Sequence, residues 1–243
     1  QKRGGRGKTA ATVKDEDFIE KLFVANSHDT ILCFSSLGKV YWLKVYDIPQ
    51  SGRSAKGKAI VNILSLAQFE KITAIQKISN YDEELFVLMA TSKGIIKKTK
   101  LTEFSRPRPS GLIAINLKDG DNLIEASVTD GKKQIMLFSS AGKTIRFNES
   151  DVNCVGRSAA GVKGITIGKD QSVISMITSH KEDADDILIA TENGYGKRTK
   201  IDEFSLQKRS GKGNIAVKTS ERNGKVIGAL KVKENDDLML ITD

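Results

Sequence analysis

One sequence pattern recurs along the chain, and it constrains the fold more than any other feature. Residues 32–39, L-C-F-S-S-L-G-K, recur as M-L-F-S-S-A-G-K at 136–143, an offset of 104. Residues 90–105, A-T-S-K-G-I-I-K-K-T-K-L-T-E-F-S, recur as A-T-E-N-G-Y-G-K-R-T-K-I-D-E-F-S at 190–205, an offset of 100. Because these two pairs interleave, the underlying period is about 50 residues, which is typical of an array of one supersecondary unit.

A glycine-rich turn marks each copy of the repeat. Its glycines are Gly5, Gly57, Gly111, Gly161 and Gly211, with spacings of 52, 54, 50 and 50. The opening residues 1–8, Q-K-R-G-G-R-G-K, align with Q-K-R-S-G-K-G-N at 207–214. The opening stretch is therefore one copy of a turn that occurs five times.

Each repeat contains about four short apolar segments bounded by Gly, Asp, Asn or Ser, as β-strands usually are. In one repeat they are residues 84–90, 95–100, 112–117 and 123–128. Four strands per repeat around a common centre are typical of a propeller. The sequence predicts an all-β chain forming a single domain over residues 1–243, with a partial first blade (1–25), four full repeats (26–232) and the start of a last blade (233–243).

Composition narrows the class of partner. The chain carries 39 basic and 30 acidic residues, a net charge of +9, which favours a polyanion: nucleic acid first, an anionic membrane surface second. No apolar run approaches the roughly 18 residues that would span a bilayer, so we expect no membrane insertion. Cys33 and Cys154 lie far apart and outside any C-x-x-C pair, so both are predicted to be buried free thiols.

Basic residues recur in the second strand of each repeat and in the turn that follows. If those turns face outward, the repeat places a stripe of positive charge around the perimeter, whereas the alternative is an ordinary solvated surface. Lys and Arg neutralise phosphates without reading base sequence. The predicted DNA contacts are Gln1, Lys2, Arg3, Gly4, Gly5, Arg6, Gly7, Lys8, Arg53, Lys56, Lys97, Lys98, Lys100, Arg106, Arg108, Arg146, Arg157, Lys163, Lys197, Arg198, Lys200, Lys208, Arg209 and Lys212.

The tripeptide Gly7-Lys8-Thr9 could suggest a nucleotide-binding P-loop. That motif, G-x-x-x-x-G-K-[ST], requires another glycine five positions before Gly7. This chain has Lys2 there. The NTPase interpretation is therefore rejected, and a glycine-rich turn flanked by cations remains. Its glycines let a backbone approach a phosphate closely.

Residues 1–7, Q-K-R-G-G-R-G, resemble the gyrase-A box, the heptapeptide of the C-terminal domain of bacterial DNA gyrase A, one of the two kinds of subunit in that enzyme. The resemblance continues through residues 17–36, 89–104 and 190–200. It implies a β-pinwheel, a propeller-like disc whose blades exchange strands and whose basic rim wraps duplex DNA. In that family, wrapping lets gyrase introduce negative supercoils. The resemblance also implies phosphate contacts for Arg3 and Arg6.

The same resemblance implies the wider context. The domain would serve an ATP-hydrolysing type II DNA topoisomerase without holding catalytic residues, a metal or a cofactor, since ATP and Mg²⁺ bind the partner subunit. Its partners would be sequence-tolerant duplex DNA, the upstream domain of gyrase A, and gyrase B in an A2B2 complex in the bacterial cytoplasm, at the nucleoid. The alternatives are a propeller-like protein-interaction scaffold and the similar disc of topoisomerase IV, whose box is degenerate.

Overall fold

The computed structural model describes residues 24–52, 58–234 and 236. Within these ranges the chain forms fifteen β-strands and five single-turn 3-10 helices. The strands are β1 (Thr30–Ser35), β2 (Lys39–Lys44), β3 (Ile72–Ile78), β4 (Phe86–Thr91), β5 (Ile95–Lys100), β6 (Leu112–Ile113), β7 (Leu123–Thr129), β8 (Gln134–Ser139), β9 (Lys143–Asn148), β10 (Val162–Lys163), β11 (Val173–Ser179), β12 (Asp186–Thr191), β13 (Gly196–Lys200), β14 (Asn214–Ile215) and β15 (Val226–Val232). The 3-10 turns are η1 (Val45–Asp47), η2 (Ile60–Asn62), η3 (Leu101–Phe104), η4 (Glu149–Asp151) and η5 (Ile201–Glu203).

The strands form four antiparallel sheets that share strands between repeats. Their orders are β3-β1-β2-β6, β7-β4-β5-β10, β11-β8-β9-β14 and β15-β12-β13. Each two-residue outer strand arrives from the following repeat: β6 comes after β5 in the chain but pairs with β2, with Leu112 opposite Val40. The strand exchange implied by the resemblance is therefore present, and the all-β, propeller-like fold class is confirmed.

The seven-residue strands β3, β7, β11 and β15 contact one another in succession. This places them at the centre of the array, and it places the two-residue strands β6, β10 and β14 at its outer edge. The chain segments that lead into those outer strands, residues 105–111, 153–161 and 205–213, run between neighbouring sheets. We call them the outer linkers.

The core lies between neighbouring sheets. Strands β1 and β8 are buried along their whole length. Neighbouring blades cover both faces of β8, whereas the next blade covers one face of β1 and the segment around Leu64 covers the other. Phe34 of one sheet meets Phe104 of the next edge to face, with ring centroids 6.1 Å apart, and Phe138 meets Phe204 at 6.3 Å. Edge-to-face aromatic pairs stabilise beyond the apolar area they bury.

The structure corrects two details of the sequence prediction. The predicted strand over 112–117 is only Leu112–Ile113, because the amides of Ala114 and Ile115 both donate to the carbonyl of Gly38 at 2.8 and 3.1 Å and leave the ladder. Cys33 is buried as predicted, but Cys154 is exposed on an outer linker. None of the helices in the described ranges is long and apolar enough to cross a membrane.

Candidate nucleic-acid interface

One position in the second strand joins each of the first three blades to the next. It lies four residues after the hairpin glycine and is occupied by Trp42, Lys98, Arg146 and Arg198 in turn. The indole Nε1 of Trp42 donates to the carbonyl of Phe104 at 2.9 Å, and Nζ of Lys98 donates to the carbonyl of Glu149 at 3.2 Å. Both acceptors belong to the 3-10 turn of the following blade.

Arg146 makes the most extensive contact at this position. Its guanidinium NH1 donates to the carbonyls of Ile201 and Phe204 at 2.8 and 3.1 Å. Its Nε and NH2 both donate to Oε1 of Gln134, at 3.0 and 2.6 Å. The side chain is 8 % exposed, so its charge serves the junction between the third and fourth sheets.

Lys97 lies one residue before this position and is fully buried. Its Nζ donates to the carbonyl of Ala114 at 2.7 Å and to the carbonyl of Arg157. Burial, helped by the charge of Arg157, lowers the pKa of Lys97 to about 8, because a low-dielectric surrounding disfavours the charged amine.

These contacts correct three of the predicted DNA contacts. Lys97, Lys98 and Arg146 are buried, with donors committed to protein oxygens, so they lack the exposure that a phosphate contact needs. The outer strands β10 and β14 pair with β5 and β9 and cover this edge of each sheet. Sequence reasoning could not anticipate that cover, since the covering strands come from the next repeat.

The cations at the matching places of the fourth sheet are exposed. Lys197 and Arg198 lie on β13, which has no outer partner strand within the described part of the chain. Arg198 Nε pairs with Asp186 at 3.1 Å, and the arginine side chain is 53 % exposed. The same residue type at the same place is thus an inter-blade contact in the third sheet and a surface cation in the fourth.

Two predicted arginines on the outer linkers are half-buried and bind the main chain. Arg157 NH1 donates to the carbonyl of Ile113 at 3.2 Å. Arg209 donates through Nε to the carbonyl of Asp151 at 2.9 Å and through NH1 to that of Lys163 at 3.1 Å. Each arginine thus ties one outer linker to the outer strand of the preceding sheet.

The remaining predicted cations are exposed, and their charged groups have no hydrogen-bond or ion-pair partner among the described residues. They are Lys100, Arg106, Arg108, Lys163, Lys197, Lys200, Lys208 and Lys212. Most belong to the outer linkers or the outer strands, so they lie at the edge where a stripe of charge was predicted. Their contact with DNA stays a prediction. Gln1 to Lys8, Arg53 and Lys56 lie outside the described residues.

One group of acidic residues lies away from the outer linkers, in the loops that lead into β4 and β12. Several of them are neutralised locally: Lys231 Nζ lies 3.3 Å from Asp183 and 2.9 Å from Asp185. The amide of His180, then the hydroxyl of Ser179 and Lys231, lower the pKa of Asp183 to about 2. These carboxylates therefore do not neutralise the cations of the outer linkers.

Comparison with known proteins agrees with this architecture. The profile of a family described as DNA gyrase C-terminal domain, beta-propeller, matches residues 1–26, 29–79, 86–130, 133–180 and 185–233. The chain belongs to the DNA gyrase C-terminal domain family. The resemblance carried by the opening heptapeptide and the repeats is thereby confirmed.

Curated relatives extend the family match over the whole chain. The DNA gyrase A of Salmonella typhimurium is 53 % identical over 243 residues, which are 100 % of this chain and 27 % of the relative. The DNA gyrase A of Escherichia coli K12 is 51 % identical over 100 % of this chain and 28 % of its own length. The chain therefore spans less than a third of the curated relatives it matches.

Solved structures show the same fold. A structure of the DNA gyrase A C-terminal domain matches with a TM-score of 0.74 at 28 % identity, covering 87 % of this chain and 68 % of that one. The C-terminal domain of DNA topoisomerase IV matches with a TM-score of 0.78 at 28 % identity, covering 86 % of this chain and 65 % of that one. This gyrase-family domain therefore shares its strand-exchanged architecture with both.

Proposed function

We propose that this domain binds duplex DNA along the outer edge of its blades and wraps it, so that DNA gyrase can introduce negative supercoils. The observation that carries the proposal is the row of exposed, unpartnered cations on successive outer linkers and outer strands of the described chain. They are Arg106 and Arg108, then Lys163, then Lys208 and Lys212. Membership of the gyrase C-terminal domain family supports the same conclusion.

The physical basis is the balance between bending and phosphate neutralisation. Bending 20–30 base pairs through 40–90° opposes wrapping by roughly 1–6 kcal/mol. Phosphate contacts by Lys and Arg offset that term without selecting a sequence. A curved edge with cations on each successive blade supplies such contacts along the path of the duplex.

The gyrase A relatives support a wider proposal. The domain acts within an ATP-hydrolysing type II topoisomerase, next to the upstream domain of gyrase A and with gyrase B in an A2B2 complex. It holds no cofactor itself, since ATP and Mg²⁺ bind the partner subunit. The complex works in the bacterial cytoplasm, at the nucleoid. The predicted partial first blade (1–25) and start of a last blade (233–243) lie largely outside the described residues, and their place in the same single domain stays a prediction.

The salt dependence of DNA binding tests whether duplex DNA binds at the outer edge of the blades. The change is Lys208→Gln with Lys212→Gln, and we expect the slope of log K against log salt to become shallower by about 0.9 for each phosphate that is no longer neutralised. The matched control is Lys132→Gln with Lys181→Gln, which removes the same charge from exposed positions on the loops that precede β8 and β12. Equal slopes for the two double variants would refute binding at the outer edge.

Wrapping has its own test, the linking number of nicked plasmid ligated in the presence of the chain. The comparison replaces Gln1 to Gly7 with alanine and serine. A positive shift that the replacement abolishes would support wrapping through the opening heptapeptide. Tight binding without any shift would refute wrapping and leave a DNA-holding disc. Failure to bind duplex, with tight binding to a protein partner, would favour the scaffold alternative.

A further inference from the structure

A cleft at the boundary between the first two sheets gathers three arginines. Its volume is about 360 Å³, within the usual range of small-ligand sites. The outer linker that follows η3 forms one wall, and Arg157 enters from the next outer linker. The polar lining comprises Thr102, Glu103, Ser105, Arg106, Arg108 and Arg157.

The guanidinium groups of this cleft have unused donors. Arg106 and Arg108 are exposed, and neither side chain has a hydrogen-bond or ion-pair partner in the described part of the protein. Arg157 uses NH1 on the carbonyl of Ile113, but its Nε is buried without a partner among the described residues. A buried donor without an acceptor is unfavourable, so the cleft as it stands favours an added acceptor.

The next boundary shows that the fold does not require this arrangement. There Arg209, the counterpart of Arg157, gives its Nε to the carbonyl of Asp151 and its NH1 to that of Lys163. The position of Arg106, two residues beyond the apolar residue that closes the 3-10 turn, is taken by Cys154. Three arginines with spare donors therefore distinguish the first boundary from the second.

The charge around the cleft favours an anion. Lys97 lies behind Arg157, with its Nζ on the carbonyl of that residue, and Glu103 contributes the one carboxylate of the lining formed by described residues. Three arginines of the lining thus face one acid, with the buried Lys97 behind them. Guanidinium groups hold phosphate oxygens through paired, parallel N–H donors, and the hydroxyls of Thr102 and Ser105 add neutral donors.

We propose that this cleft binds one phosphate of the DNA backbone, held by Arg106, Arg108 and Arg157 with hydroxyl donors from η3 and the linker. The inference rests on the proposed DNA-wrapping function and deepens it. A phosphate seated in a shaped cleft fixes the register in which the duplex crosses from the first blade to the second, whereas cations on open surface allow it to slide.

The test distinguishes phosphate binding through the geometry of the arginine side chains from binding through positive charge alone. The change is Arg106→Lys with Arg108→Lys in the full chain, which keeps both charges and removes the planar donors. The two side chains are exposed, so the fold is preserved, and Arg157 is left intact because it ties the linker to β6. We expect duplex affinity to fall about tenfold with the salt slope nearly unchanged.

The matched control makes the reverse exchange, lysine to arginine, at two cations outside the cleft: Lys208→Arg with Lys212→Arg. We expect wild-type affinity or slightly tighter binding. Wild-type affinity in the Arg-to-Lys variant would overturn the inference, since diffuse charge would then explain binding. If the unchanged chain failed to bind duplex at all, the proposed function itself would fail, which is a distinguishable result.

Free inorganic phosphate has the same tetrahedral oxygens as a phosphate of the DNA backbone. A second measurement therefore distinguishes a site for DNA from a site for the free anion. Inorganic phosphate is titrated into the DNA-free chain and followed by phosphorus NMR line broadening. We expect weak binding that the Arg-to-Lys variant reduces together with its duplex affinity. Phosphate binding abolished in the variant while duplex affinity stays intact would overturn the assignment to DNA and identify a free-anion site.

Discussion

Arg146 offers the sharpest test of the division between structural and surface cations. In Arg146→Met the side chain keeps much of its apolar length but loses every guanidinium donor. The carbonyls of Ile201 and Phe204, bonded at 2.8 and 3.1 Å, lose these donors, as does Oε1 of Gln134. The junction between the third and fourth sheets should weaken.

The magnitude follows from these hydrogen bonds. Hydrogen bonds to a charged group contribute about 1.5–3 kcal/mol each, and unmade buried partners add to the loss. Removing the desolvated guanidinium offsets part of it, because burying a charge is itself unfavourable. We expect the free energy of unfolding to fall by about 3 kcal/mol, which lowers Tm by roughly 6–12 °C for a chain of this length.

The chain contains its own control. Arg198 occupies the same place on β13, is half exposed, and pairs with Asp186 at 3.1 Å. Exposed pairs contribute about 0–1 kcal/mol, so Arg198→Met should lower Tm by roughly 4 °C at most. Thermal unfolding by circular dichroism or calorimetry measures both variants under one set of conditions.

DNA binding measured well below Tm completes the comparison. Arg146→Met should keep the wild-type salt slope, because its charge does not reach solvent, whereas Arg198→Met is free to change it. A variant at Arg146 with unchanged Tm and a shallower salt slope would refute the structural role and restore the residue to the DNA contacts.

Three further predictions concern single positions. Phe69 is 87 % exposed with φ of 63°, so Phe69→Asn should raise the free energy of unfolding by about 1 kcal/mol, since Asn tolerates that conformation; an unchanged or lower Tm would contradict this. An added Cβ at Gly142 would overlap a carbonyl oxygen of the next repeat, whereas Gly194 has open space around it. Gly142→Ala should therefore lower the free energy of unfolding by at least about 2 kcal/mol more than Gly194→Ala does, as measured by denaturant titration. Equal losses of unfolding free energy in the two variants would exclude a role for that close approach. Burial raises the pKa of Cys33 to about 12 while Cys154 is exposed, so iodoacetamide at a pH of about 8 should add one group to the native chain, at Cys154, as peptide mapping can check.

Local pattern sufficed for the fold class and for most strands. The predicted segment 95–100 coincides with β5, and 84–90 and 123–128 overlap β4 and β7, because apolar, β-branched runs bounded by turn residues encode strands over short range. The segment at 112–117 was predicted too long. Its residues leave the ladder to bond the hairpin of another blade, a contact with Gly38 that no local pattern contains.

The sequence by itself determined the repeat, the all-β class, the family and the excess of basic residues, since each of these is written into every copy of the unit. Only the tertiary structure decided which cations face solvent. Lys97 and Lys197 share one place in the repeat, yet one is fully buried and the other exposed. The difference lies in the outer strand β10, which crosses from the following repeat to cover β5, whereas β13 has no such cover in the described residues. Burial at that edge depends on pairing between residues far apart in the chain, such as Val162 with Ile96, and residue type alone does not encode it.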